Sequence, residues 1–144
     1  MTDMDTTRTM VDLLERFCTG FASGDAEAIA ATCTMNVELA IVTSEELVLR
    51  GGDEFATFLD RYMRGNTRYA WMWDRHDVAT YGDVAWLLAI GTETATTGSA
   101  AISHPYRMTM VATHTNDHWY LVQVHGSSPH QDPAATETPI TADT

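Results

Sequence analysis

The sequence predicts an α+β domain in which three helices precede a four-stranded antiparallel sheet. Apolar residues recur at helical spacing in the first 65 positions, whereas long strand-like segments alternate with turn dipeptides in the remainder. Helices and strands that are segregated along the chain are typical of this class. A length of 144 residues, 44% apolar and 19% charged, is enough for one hydrophobic core and indicates a globular chain.

The first two helices are predicted from an apolar stripe and a capping turn. Between positions 10 and 21, apolar residues follow the i, i+4, i+7, i+8 spacing of one helix face. The turn Ser23-Gly24-Asp25 then ends this helix, and Asp25 is suited to cap a second, shorter helix over residues 26–33. The two helices are expected to form a tight corner.

Two short strands and a third helix complete the first half of the chain. The strands are predicted at residues 37–42 and 47–49, on either side of a polar turn. Asp53 and Glu54 begin the helix, because carboxylates interact favourably with the dipole at a helix N-terminus. Gly65 ends it.

The four long strands are predicted at residues 68–81, 84–96, 106–115 and 119–127. Within them, residues 84–90 and 119–124 are apolar at both odd and even positions, so both faces of these strands are apolar. A sheet with one solvent-exposed face should instead alternate apolar and polar residues. Because the helices can cover only one face, the other is expected to meet a second copy in a twofold homodimer. A tail or loop that covers this face is the alternative.

The charge balance excludes some classes of partner. The formal net charge is -12, and all eight basic residues are arginines that form no basic stripe along the chain. Neutralisation of nucleic acid phosphates or of an anionic membrane surface requires such a stripe. Neither nucleic acid nor a membrane is therefore expected as a partner.

The chain is expected to be a cytoplasmic protein with flexible ends. Its first positions are acidic rather than basic, and no apolar run approaches 18 residues. The domain is assigned to residues 8–129, with a flexible N-terminus over residues 1–7 and a proline-containing flexible tail over residues 130–144. Cys18 and Cys33 are expected to be buried thiols rather than a disulfide.

Several segments resemble a known family. They are Phe21-Ala-Ser-Gly-Asp25, Gly82-Asp-Val-Ala-Trp86, Arg107-Met-Thr-Met-Val111 and Trp119-Tyr-Leu-Val-Gln-Val-His-Gly-Ser127. With the order of the predicted elements, they make residues 8–129 similar to SnoaL-like domains of the NTF2-like or ketosteroid isomerase-like superfamily. The resemblance implies a cone-shaped barrel, in which a curved, mostly antiparallel sheet wraps around N-terminal helices and leaves a pocket, and it implies a dimer. Relatives include isomerases, polyketide cyclases, epoxide hydrolases, dehydratases and non-catalytic assembly domains, so function depends on the site.

The last hairpin contains the first candidate site. If the Asn116-Asp117 loop has three residues, Arg107 lies opposite His125, and these two residues share a face with Gln123. A cation, an imidazole and an amide on one face can bind an anionic or carbonyl ligand. If the loop has two residues, Met108 lies opposite His125, which is then a structural histidine.

The middle hairpin contains the second candidate site. A Gly82-Asp83 turn places Asp74 and His76 on one face with Glu93, beside small residues that leave room for a ligand. Two carboxylates and an imidazole can perform acid-base chemistry when burial raises a carboxyl pKa towards neutrality. A polar sheet edge is the alternative.

The expected pocket lining is largely aromatic, and consists of Gln123, Trp73, Trp86, Tyr62, Phe58 and Phe21. For the tryptophans, a place in the core or in a dimer interface is the alternative. Arg75 and Asp77 are spaced for an ion pair on the same strand. No metal or cofactor is expected, because the chain has no phosphate-binding glycine loop and no helical histidine pair.

The favoured function is binding of a small apolar organic molecule by a homodimer, with cofactor-independent isomerisation, cyclisation, dehydration or hydrolysis as its activity. The alternative is a non-catalytic ligand-binding or assembly module. A polar-lined void of a few hundred cubic ångströms favours the first, and an interior filled by aromatic side chains favours the second.

Overall fold

The computed structural model describes residues 4–45 and 47–129. Its elements in chain order are α1 Met4–Ser23, α2 Ala26–Ala30, β1 Ala40–Val42, β2 Val48–Arg50, α3 Gly51–Arg64, β3 Thr67–Tyr81, β4 Val84–Thr97, β5 Ala100–Thr115 and β6 His118–Ser127. The predicted α+β class and the order of elements are confirmed. The tail expected over residues 130–144 lies outside the described residues, and α1 already begins within the segment assigned to the N-terminal arm.

The helices form for the reasons that their sequences suggest. The apolar stripe of α1 is buried, and Leu13, Leu14 and Phe17 lie at its centre. Asp25 caps α2, where its Oδ1 accepts a hydrogen bond of 3.0 Å from the backbone N–H of Ala28. α2 is shorter than predicted, and the chain after it pairs through a single bridge at Cys33 with β6.

The sheet has six strands in the order β2-β1-β6-β5-β4-β3 and is not closed. The predicted antiparallel meander of β3, β4, β5 and β6 is confirmed. β1 lies parallel to β6, with Ile41 beside Val124, and pairs antiparallel with β2. This parallel pair makes the sheet mixed and brings the turn between β1 and β2 next to the end of β6.

Two β-bulges change which side chains face the helices. One interrupts the pairing of β3 with β4 between Trp73 and Arg75, and the other interrupts the pairing of β5 with β6 between Val111 and Ala112. A bulge inserts one unpaired residue and therefore reverses the parity of everything beyond it. As a result, Trp73 faces the helices although it precedes the outward-facing Arg75 by only two positions.

β5 begins at Ala100, six residues earlier than predicted, and pairs with β4 from a two-residue Gly98-Ser99 turn. Pro105 lies in this extension, where its missing N–H should interrupt a central strand. β6 pairs with β5 only as far as Arg107. The residues of β5 that precede Arg107, Pro105 among them, therefore pair with β4 alone and leave their other edge free. Proline is tolerated at such an edge.

One face of the sheet packs on the helices and forms the core. Met10, Ile29, Phe55, Leu87, Met110 and Leu121 are among its fully buried side chains. Cys18 and Cys33 are buried free thiols, as predicted. Among the described residues, no helix combines the length and the apolar character needed to cross a bilayer.

Candidate functional site

A cavity of about 60 Å³ lies between the helices and the sheet. Its apolar wall comes from Phe17 and Phe21 on α1, Phe58 on α3, Met108 on β5 and Val124 on β6. This volume has room for a few water molecules. A neighbouring groove of about 250 Å³ shares Phe58 with the cavity and increases the space near its edge.

The polar wall of the cavity contains two carboxyl groups and three aromatic side chains that carry an N–H or O–H group. They are Glu45, Tyr69, Trp71, Glu93 and Tyr106. Glu45 lies in the turn between β1 and β2, and the others lie on the inner face of β3, β4 and β5. The cavity is thus apolar on the helix side and polar on one part of the sheet side.

Glu93 is the buried acid of this wall, with 3% of the residue exposed. The Trp71 indole N–H donates a hydrogen bond of 3.0 Å to Glu93 Oε2, and His104 Nε2 lies 3.2 Å from Oε1. Burial raises the pKa of Glu93 to about 7, and the negative charge of Glu45 adds to this effect. The hydrogen bond from Trp71 opposes it without cancelling it.

Pairing across three strands places the groups around Glu93. Alternation along β4 points Ala85, Leu87, Ala89 and Glu93 towards the helices. The register then sets Trp71 of β3 on one side of Glu93 and His104 of β5 on the other. The carboxyl group is therefore held by its two lateral neighbours, which is a rigid arrangement.

Gly91 permits the bulge that turns Trp71 and Trp73 inward. A Cβ atom at Gly91 would collide with the Met72 carbonyl oxygen and with Trp73 Cα, which are backbone atoms and cannot move independently. The absence of a side chain at this position therefore allows β3 and β4 to approach closely. Asp74 is the residue skipped in the pairing.

The Tyr106 hydroxyl occupies space beside Gly126, where any Cβ atom would overlap it. It lies within hydrogen-bonding reach of Ser44, and burial raises its pKa. Nearby, the Tyr62 hydroxyl donates to the Phe21 carbonyl at 2.8 Å and accepts from the Tyr69 N–H at 2.9 Å. These contacts connect α1, α3 and β3 at the edge of the cavity.

The structure places the last-hairpin candidates away from this cavity. The Asn116-Asp117 turn has two residues, both with positive φ. Because of the bulge, His125 lies opposite Thr109 and not opposite Met108 or Arg107, the two predicted partners. Arg107, Gln123 and His125 share a face, and it is the exposed outer face of the sheet. Trp86, which is 45% exposed, lies on the same face.

The middle-hairpin candidates are not brought together. His76 pairs with Ala89, as the Gly82-Asp83 turn predicts, but its exposed side chain borders a separate groove beside α1 together with Trp73. Asp74 is exposed at the bulge. A Gly82-Asp83 hairpin without a bulge would place Met72 opposite Glu93; the bulge shifts the pairing by one residue, and Trp71 lies there instead.

Among the predicted lining residues, Phe21 and Phe58 line the cavity, and Tyr62 borders the adjacent groove. Trp73 stacks on Trp71 with ring centroids 6.5 Å apart, but it does not line the cavity. Arg75 and Asp77 form the expected ion pair at 3.0 Å on the outer face.

Sequence reasoning missed the two residues that contact Glu93, Trp71 and His104, and the two that line the cavity with it, Tyr106 and Glu45. Counting back from Gly98-Ser99 as a two-residue hairpin turn pairs Glu93 with His104 and could have found one of them. In the described part of the chain, no group of three or more His, Cys, Asp or Glu residues is arranged to hold a metal ion.

Known proteins resemble this fold closely. An NTF2-like superfamily protein from Salmonella enterica serovar Typhimurium superposes with a TM-score of 0.78 at 17% identity, covering 94% of this chain and 100% of the other. A candidate aromatic ring hydroxylase from Novosphingobium aromaticivorans gives 0.80 at 14% identity, over 91% and 94% of the two chains. A candidate dehydratase from Streptomyces avermitilis gives 0.77 at 17% identity, over 88% and 99%.

Similarity at these identities shows the fold alone. No curated protein matches the chain. A family profile described as SnoaL-like domain matches residues 11–131, which is most of the sequence and includes every strand of the sheet. The chain therefore belongs to the SnoaL-like domain family.

Proposed function

We propose that this domain binds a small organic molecule in the cavity and that Glu93 transfers a proton to or from it. The observation that carries the proposal is a buried carboxyl group at the cavity wall, held by Trp71 and His104, with a pKa of about 7. A general acid-base group is most effective when its pKa lies near the working pH. Glu93 meets this condition.

The geometry supports a specific division of roles. Ionised Glu93 removes a proton from a carbon or oxygen atom of the ligand, while the hydrogen bond from Trp71 and the contact with His104 keep the carboxylate oriented. Tyr106, which its raised pKa keeps protonated, is placed to donate a hydrogen bond to a ligand oxygen that becomes negative. Glu93 then transfers this proton to a different atom of the ligand. The ligand keeps its composition and changes only the position of a hydrogen atom, so the net reaction is an isomerisation.

The cavity favours a compact ligand or the compact reacting end of a longer one. Its volume of about 60 Å³ is well below the few hundred cubic ångströms of a typical ligand pocket. The adjacent groove of about 250 Å³ provides space for the remainder of a longer molecule. In this proposal the other candidates, His125, Arg107, Asp74 and His76, take no part in proton transfer.

Solvent deuterium incorporation tests this proposal. Small ketones, with cyclohexanone and cyclohex-2-enone as first probes, are incubated with the protein in D₂O, and exchange of their α protons is followed by proton NMR. We expect exchange to exceed the buffer rate and to fall at least roughly 100-fold in Glu93→Gln, because a positioned base contributes about 10²- to 10⁴-fold. Glu38→Gln, at an exposed acid outside the cavity, is the matched control. Equal exchange in both variants would exclude Glu93 as the base.

Assembly through the outer sheet face is the second function supported by an observation. Trp86 and Leu88 are 45% and 36% exposed there, beside the Arg75–Asp77 ion pair. Apolar side chains in the middle of an exposed face, with charges at its border, favour a second copy as the partner. Sedimentation equilibrium should give a dimer for the native chain and a monomer for Trp86→Glu, whereas Val37→Glu, outside the sheet, should remain dimeric. A monomeric native chain would refute this assignment.

A further inference from the structure

We propose that the ligand of the cavity carries a positively charged nitrogen, as a protonated alkylamine does. This inference rests on the proposed function to the extent that the same cavity binds the ligand. It follows from the aromatic walls, from two carboxyl groups at one small space, and from the absence of any arginine among the described residues that line it.

Aromatic side chains form much of the cavity wall. Tyr69 and Trp71 stack with centroids 6.3 Å apart at an interplanar angle of 19°, and Tyr106 lies 6.1 Å from Trp71 at 47°. These rings exclude water from the space beside the two carboxyl groups, where the attraction of a cation is stronger than in bulk water. An apolar chain attached to the nitrogen is accommodated by the phenylalanines of the opposite wall.

The charges of the site are not balanced by the protein. One oxygen of Glu45 accepts a hydrogen bond of 2.7 Å from Ser44, and no arginine of the described residues forms an ion pair with Glu45 or Glu93. Arg61 borders the outer groove but not the cavity. His104 Nε2 contacts one oxygen of Glu93. A cationic ligand supplies the missing counter-charge.

The electrostatics of the whole chain act in the same direction. A formal net charge of -12 raises the local concentration of cations and lowers that of anions around the protein. A carboxylate or phosphate ligand would instead face two acidic side chains at the cavity. The field therefore distinguishes an ammonium group from an anionic group before contact is made.

The proposal predicts the sign of the pH dependence. A cation stabilises ionised Glu93, whose pKa in the empty cavity is about 7, so affinity rises as the pH increases from 6 to 8 and a proton is released on binding. The other titratable groups around Glu93 are Glu45, Tyr69, His104 and Tyr106, together with Tyr62 of α3, and β6 contributes only Val124 and Gly126 to the cavity wall. A neutral carbonyl ligand, whose oxygen accepts a hydrogen bond from Tyr106, gains no charge interaction with Glu93 and would show no such rise.

Three probes of equal chain length and different charge test the inference on the full chain: pentylammonium, pentan-1-ol and pentanoate. Isothermal titration calorimetry at pH 8 should show pentylammonium binding roughly tenfold more tightly than pentan-1-ol, with no binding of pentanoate. Glu93→Gln should remove this preference. Glu45→Gln should reduce the preference for pentylammonium, and because Glu45 lies on an exposed turn this variant is expected to fold normally. Glu38→Gln should preserve the preference.

The outcomes separate the two proposals. If pentan-1-ol binds as tightly as pentylammonium, or if the affinity for pentylammonium falls between pH 6 and pH 8, the inference is wrong. Proton transfer by Glu93 to or from a neutral ligand would then still be possible, and ketone exchange tests it. If pentylammonium binds with the expected preference but no ketone exchanges protons, the cation site stands and the proton transfer is wrong. If none of the three probes binds, the inference is wrong, and ketone exchange alone decides the proposed function.

Discussion

Replacing Glu93 by glutamine should change how the stability of this domain depends on pH. In the unfolded chain the carboxyl has a pKa of 4.5, and in the folded chain burial raises it to about 7. A group whose folded pKa is raised binds its proton more tightly in the native state, so it stabilises the fold at low pH. That contribution is lost as the pH rises towards the folded value.

The size of the effect follows from the two pKa values. Each pH unit between them corresponds to about 1.4 kcal/mol, so ionising Glu93 in its buried position costs roughly 3 kcal/mol of unfolding free energy. Most of this cost arises between pH 5 and pH 8. Glutamine has nearly the same shape and cannot ionise. The unfolding free energy of Glu93→Gln, relative to the native chain, should therefore increase by about 2–3 kcal/mol over this interval.

Urea unfolding followed by tryptophan fluorescence at pH 5, 6, 7 and 8 measures this difference. Other titrating groups contribute equally to both proteins and cancel in the comparison. Glu38→Gln, at an exposed acid outside the cavity, is the matched control for this series. Parallel pH profiles for the native chain and Glu93→Gln would show that Glu93 does not titrate near neutrality, and the acid-base argument would then be refuted.

Three further changes test the packing that supports the site. Asp25→Ala removes the cap of α2 and should lower the unfolding free energy by about 1 kcal/mol in urea, whereas Asp25→Asn should retain most of it. Phe55→Ala, in the fully buried core, should cost about 3–5 kcal/mol by the same measurement, and a value below 1 kcal/mol would contradict the core assignment. Gly126→Ala should displace the Tyr106 hydroxyl at a cost of about 1–3 kcal/mol and weaken pentylammonium binding; unchanged binding would show that Tyr106 is not needed.

Much of the fold could be predicted because its signals are local. The helical stripe of α1, the cap at Asp25 and the turns at Gly82-Asp83 and Asn116-Asp117 each depend on a few neighbouring residues. The parallel placement of β1 beside β6 could not be predicted, because it depends on a contact between segments some 80 residues apart.

The candidate site was less predictable because side-chain direction along a strand has a period of two. Glu93 was expected at a site with Asp74 and His76, but the bulge after Trp73 turned Trp71 towards Glu93 and left Asp74 exposed. The bulge in the last hairpin likewise decided that Arg107 and His125 share the outer face. Gly91 within β4 is compatible with the first insertion, but no turn dipeptide gives the position of either, and both are stabilised by packing against the rest of the sheet.

The sequence by itself determined the α+β class, the order of the helices, the long meander and the resemblance to SnoaL-like domains, because periodicity, caps and turns are written in short stretches of chain. Only the tertiary structure decided that Glu93, rather than the exposed histidines and arginine, lies buried at a cavity between Trp71 and His104. The reason is physical: burial and the pKa of a carboxyl group depend on neighbours from three strands and a turn. Their register is set by the assembled sheet.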